Sequence, residues 1–168
     1  MQNLRDAVNK FGQYIVVFFI TLLVSYKTLV AADIAVVVNA NNGVDELSMG
    51  DIEKIFRAEK QFWNNGKKIR LILRPMDSIE GKVLLEKIYN LPQEEFKLFW
   101  LEKVYRNIVA EPPTIIRSAS MVNILVGQLQ GAIAPIEVRK ISEWAKIKVM
   151  KVNGKMPGES GYPLKAEK

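Results

Sequence analysis

Leu73-Arg74-Pro75-Met76-Asp77-Ser78-Ile79-Glu80-Gly81-Lys82 reads as the end of a strand, a short loop and the first turn of a helix. The apolar run from Ile69 leads into it and Pro75 stops the strand. Asp77 or Ser78 caps the helix that follows, whose buried side carries Val83, Leu84, Ile88 and Tyr89. Such a junction suits an anion, because the first backbone N–H groups of a helix lack partners and its dipole is positive there. Ser78 adds a hydroxyl, and Arg74 adds a guanidinium fork that matches two oxygens of a tetrahedral oxyanion. Asp77 and Glu80 stand where an incoming anion is repelled, although either accepts a proton from a protonated ligand. The plainer alternative is that Ser78 only caps the helix and Arg74 pairs with a surface carboxylate.

Upstream, Ile34-Ala35-Val36-Val37-Val38 is a buried strand running into the polar turn Asn39-Ala40-Asn41-Asn42-Gly43. The Asn side chains of that turn either bond a ligand or satisfy the turn itself. Ser48 caps a helix whose Ile52, Ile55 and Phe56 share one face. Downstream, Pro92 opens a helix from Gln93 to about Tyr105, with Phe96, Phe99, Trp100 and Val104 at helical spacing. Glu111-Pro112-Pro113 breaks it, and Thr114 to Arg117 is a short strand. Ser118-Ala119-Ser120 opens the next helix, where Ser118 and Ser120 are caps or ligand contacts. Ala132 to Ile136 is a third core strand, and Ile147 to Val152 alternates apolar and basic residues as a half-exposed strand does. Trp63, Trp100 and Trp144 are assigned to packing. Strands alternate with helices, so the class is α/β with a mostly parallel or mixed sheet flanked by helices, most simply as one lobe.

The chain of 168 residues is 49% apolar and 25% charged, a globular composition with a net charge of +6. It has no Cys and no His, which removes disulfides, thiolate and imidazole catalysis, and Cys/His zinc sites. No Gly-x-Ser-x-Gly or Gly-Lys-[Ser/Thr] motif occurs, and no carboxylate pair has the spacing of an acid–base couple. The expectation is a non-enzyme with no metal and no cofactor. Basic residues form no block, which argues against nucleic acid.

Tyr14 to Val24 is an apolar core of about 11 residues behind a polar, partly basic start, the layout of a secretory signal. Small residues before Asp33 place cleavage after Ala32. The expected organisation is a signal peptide over 1–32, a folded domain over 33–152 and a flexible tail over 153–168, in a periplasmic or other extracytoplasmic protein. The alternative is an uncleaved membrane anchor over residues 14–26, the one membrane contact expected.

In order along the chain, several stretches resemble the phosphate-binding solute receptors of ABC transporters, and small stand-alone relatives of them in particular. They are Ile34 to Asn39, Leu47 to Arg57, Phe62 to Ile69, Arg74 to Ser78, and Gln130 to Ala134. The resemblance covers about residues 34–150 and implies a single type II periplasmic binding protein lobe. It also implies phosphate or a similar oxyanion as ligand, an ABC transporter as partner, and no catalysis. By position, Arg74 matches the family's anion-contacting Arg and Ser78 its Ser. Ile79 and Glu80 stand where the family has Gly and Thr, Ala134-Pro135 replaces a Gly-Tyr, and Ala58 replaces a Gly. The implied oxyanion set is Arg74, Ser78 and Asp77, with Asn39, Ser118 and Ser120 at the rim. The competing expectation is a degenerate lobe that has lost its ligand and binds an envelope protein.

Overall fold

A computed structural model describes residues 32–166. The export segment read over 1–32 and its alternative as an anchor over 14–26 fall, all but Ala32, outside these residues. Among the described residues no helix is long and apolar enough to cross a membrane.

The element order is β1 (Ile34–Asn39), β2 (Glu46–Leu47), α1 (Met49–Phe56), β3 (Arg70–Leu73), α2 (Ile79–Leu84), a π-helical turn (Leu85–Tyr89) and α3 (Gln93–Tyr105). There follow β4 (Thr114–Ile115), α4 (Ala119–Gln128), β5 (Ala132–Glu137), a 3-10 turn (Val138–Lys140), β6 (Ile147–Val149) and β7 (Lys151–Val152). Five strands form a mixed sheet in the order β4-β3-β5-β1-β6. β3 runs parallel to β4 and β5, while β1 runs antiparallel to β5 and β6. β2 and β7 pair separately.

Every residue of β1 and β5 is buried. This explains their unbroken apolar runs: a strand covered on both faces has no reason to alternate. On one face, Ala35, Val37, Ala134 and Ile136 pack under Val122 and Val126 of α4. On the other, Ile34, Val36, Val38 and Ile133 meet α1, α2, Trp63 and Trp100. Ser48 and Ser118 cap α1 and α4 as expected, each accepting the N–H three residues on. Ala58 follows α1 at φ +58°, in the left-handed region that favours glycine, at the very position where the family pattern has Gly.

Three expectations are corrected. Trp144 is not a packing residue, since it is 93% exposed. Residues 153–166 do not behave as a tail: Tyr162 and Leu164 join the main core. The Ile34 N–H donates to the Leu164 carbonyl at 2.8 Å, and the Tyr162 hydroxyl donates to the Ile34 carbonyl at 2.8 Å. The glycines of this segment build tight turns, with Gly154, Gly158 and Gly161 all at positive φ. The 147–152 run is also split. Buried Met150 separates β6 on the main sheet from β7 on the small one.

Leu164 has no exposed surface. Leu164→Ala is expected to cost about 2–5 kcal/mol of unfolding free energy, read by urea denaturation. A loss below about 0.5 kcal/mol, as for an ordinary surface position, contradicts this packing.

Candidate functional site

Parallel strands deliver their loops to one end of a sheet, and that end is where α/β folds place ligands. β3 leaves the sheet at Arg74, β4 at Ile116 and β5 at Val138, all at the same end. Arg74 Nη1 donates to the Ile116 carbonyl at 3.0 Å, tying the first two exits together. Gly81 holds the 74–78 loop against α2; a Cβ there would strike the Pro75 carbonyl.

The centre of this end is Glu80, whose side chain has no exposed surface. Its Oε1 accepts from the Glu137 N–H at 3.3 Å and from Lys140 Nζ at 3.2 Å. Arg74 Nε lies 3.7 Å from the same oxygen. Lys140 also reaches Glu137 Oε2 at 2.8 Å, and Arg139 pairs with Glu137 Oε1. The β5 strand explains why the Glu137 N–H is available. Pairing of β3 with β5 runs only as far as Ile133, and Pro135, two residues on, has no N–H to continue a ladder.

Burial alone raises the Glu80 pKa, since a charged carboxylate is poorly solvated there. The N–H groups of Glu80 and Glu137, then Lys140, outweigh burial and hold it below the usual range. Lys140 is raised in turn, first by its hydrogen bond to Glu137 and then by Glu80. The cage is incompletely matched to its occupant: Glu80 Oε2 and Arg74 Nε are buried without a hydrogen-bond partner.

The sequence-derived site residues separate into groups. Arg74, Asp77, Ser78 and Ser118 lie at the strand-exit end. Ser78 and Ser118 act there as caps, accepting from Gly81 N at 3.1 Å and Met121 N at 3.3 Å. Asp77 is exposed. Ser120, on α4, lines a groove with Asn123, Trp144 and Lys146 that Lys140 borders from the cage side. Asn39 sits at the opposite end of the sheet, because β1 is antiparallel to β5. Its Nδ2 donates to the carbonyls of Val126 and Gly127 at 3.0 and 2.9 Å, closing the far end of α4. Sequence reading missed Lys140 and Glu137 as site members. Their only signal was a charged Glu137-Val138-Arg139-Lys140 stretch directly after a core strand. Among the described residues, no group of three His, Cys, Asp or Glu side chains is placed to hold a metal ion.

No protein-family model and no curated protein matches the sequence. Solved structures do match in shape. The ABC-type phosphate transport receptor of Vibrio cholerae aligns with a TM-score of 0.59 at 17% identity, over 77% of this chain and 49% of that one. PstS of Borrelia burgdorferi aligns with a TM-score of 0.62 at 18% identity, over 82% of this chain and 56% of that one. A putative phosphate ABC transporter substrate-binding protein of Clostridium perfringens, solved with bound phosphate, gives 0.58 at 19% identity, over 76% and 47%. The fold is therefore that of the phosphate ABC transporter substrate-binding proteins. The chain spans about half the length of the solved receptors it matches.

The lowered Glu80 pKa carries a sign. The carboxylate's contribution to stability is complete above its unfolded value of about 4.3 and is lost as pH falls through the lower folded value. Glu80→Gln is accordingly expected to unfold more easily than the parent at neutral pH, with the gap closing below about pH 4 in urea melts. A gap that stays constant with pH would show that the Glu80 charge is not what the cage holds.

Proposed function

We propose that this chain is a non-catalytic recognition module on the phosphate-receptor fold, working outside the cytoplasm and binding a protein of the cell envelope rather than a free anion. The observation that carries the reading is the buried Glu80 carboxylate facing Arg74 and Lys140. It neutralises the cations that a phosphate would need, and at close range it repels a second anion. The Tyr14 to Val24 segment supports export. The absence of Cys and His from the sequence supports a non-catalytic role. A protein partner is supported by exposed large side chains. Leu98, Leu101 and Tyr105 lie three and four residues apart on α3 at 63%, 58% and 86% exposure, and Trp144 stands free on its loop.

A second reading is capture of phosphate or a similar oxyanion for an ABC transporter. It is favoured by the convergence of Arg74, Ser78 and Ser118 at the strand exits and by neighbours named as phosphate receptors. In it, the anion displaces Glu80 from Arg74.

Calorimetric titration of the chain with phosphate, then sulfate at the same ionic strength, decides between them. No heat from folded protein is the expected result. Saturable phosphate binding that disappears in Arg74→Ala overturns the module reading and makes the lobe an oxyanion receptor.

A further inference from the structure

Two donors hydrogen-bond one oxygen of Glu80, the Glu137 N–H from β5 and Lys140 from the turn after it, and Arg74 Nε from the β3 exit lies 3.7 Å from the same oxygen. Each is anchored independently of Glu80. Arg74 is held by the Ile116 carbonyl at 3.0 Å, Lys140 by Glu137 at 2.8 Å, and the Glu137 N–H belongs to a strand paired with β1. The donors therefore keep their places when the carboxylate is removed, which is the condition for a preorganised site. The cage also has spare capacity, since Arg74 Nε makes no hydrogen bond and Glu80 Oε2 receives none.

We infer that the Glu80 side chain is a resident ligand in an anion-binding cage, and that Glu80 is the residue that closes this lobe to free anions. The inference rests on the reading above that Glu80 takes the place of an anion. The ligand class follows from what remains in the cage. Removing the Glu80 carboxymethyl group vacates a volume about the size of acetate, facing the largely buried Arg74, the solvent-edged Lys140 and one N–H. The Glu137 carboxylate stays beside Lys140 and opposes a second negative charge. A small monoanionic carboxylate therefore fits better than a phosphate dianion.

The test is Glu80→Ala in the full chain, with thermal melts in sodium acetate, formate, phosphate and chloride at matched ionic strength. Acetate and formate are expected to raise Tm saturably, by about 2–5 °C over chloride, with phosphate less effective. The parent and Glu80→Gln, whose cages stay filled, show no such difference. Acetate and chloride giving the same Tm in folded Glu80→Ala overturns the inference. If Glu80→Ala does not fold in chloride, refolding yield from urea is read instead: recovery in acetate supports the cage, and no recovery in either salt overturns it. Failure here leaves the parent's response to phosphate, and with it the module reading, standing on its own titration.

Discussion

The antiparallel pairing of β1 with β5 places two fully buried strands side by side, with Ile34 opposite Glu137 and Val38 opposite Ile133. Strands buried on both faces must be covered on both faces. That constraint sends α4 to one side of the sheet and α1, α2, α3 and the C-terminal residues to the other. It also pulls residues that look like a tail into the core: Tyr162 and Leu164 lie over the start of β1 and satisfy its backbone.

The same pair shapes the site. β5 must pair with β1 along its length but with β3 only at its start, because Pro135 cannot donate. Beyond that point Glu80, two residues into α2, takes the Glu137 N–H as a strand would otherwise have done. A buried carboxylate without partners is costly, and Glu80 is tenable because backbone N–H groups and Lys140 meet it there, with Arg74 close by. Backbone topology and buried charge thus explain each other. The interrupted ladder supplies a donor, the carboxylate takes it, and the cations follow.

This arrangement separates fold from ligand. The solved receptors share the architecture at 17–19% identity, so likeness of shape carries no information about individual contacts. In this lobe Glu80 sits beside Arg74, Lys140 and the Glu137 N–H, and Ser78 and Ser118 serve as helix caps. Outward, α3 carries apolar side chains three and four residues apart that no described element covers.

Local rules made much of this legible. The apolar runs of β1 and β5, the Ser48 and Ser118 caps and the helical spacing of Phe96 and Trp100 follow from periodicity and capping chemistry, which act within a few residues. The strand–loop–helix junction around Arg74 and Ser78 was readable for the same reason. The partner of Arg74 was not. The sequence marks Glu80 as a charge that repels an incoming anion, not as the partner of Arg74, and Lys140 lies 60 residues further along the chain. The opposite placement of Asn39 required the antiparallel register of β1. The sequence by itself determined the main helices and core strands, the α/β class and the end of β3 where charge gathers. Only the tertiary structure decided which charges meet, because burial and ion pairing depend on distances between segments that sequence spacing does not encode.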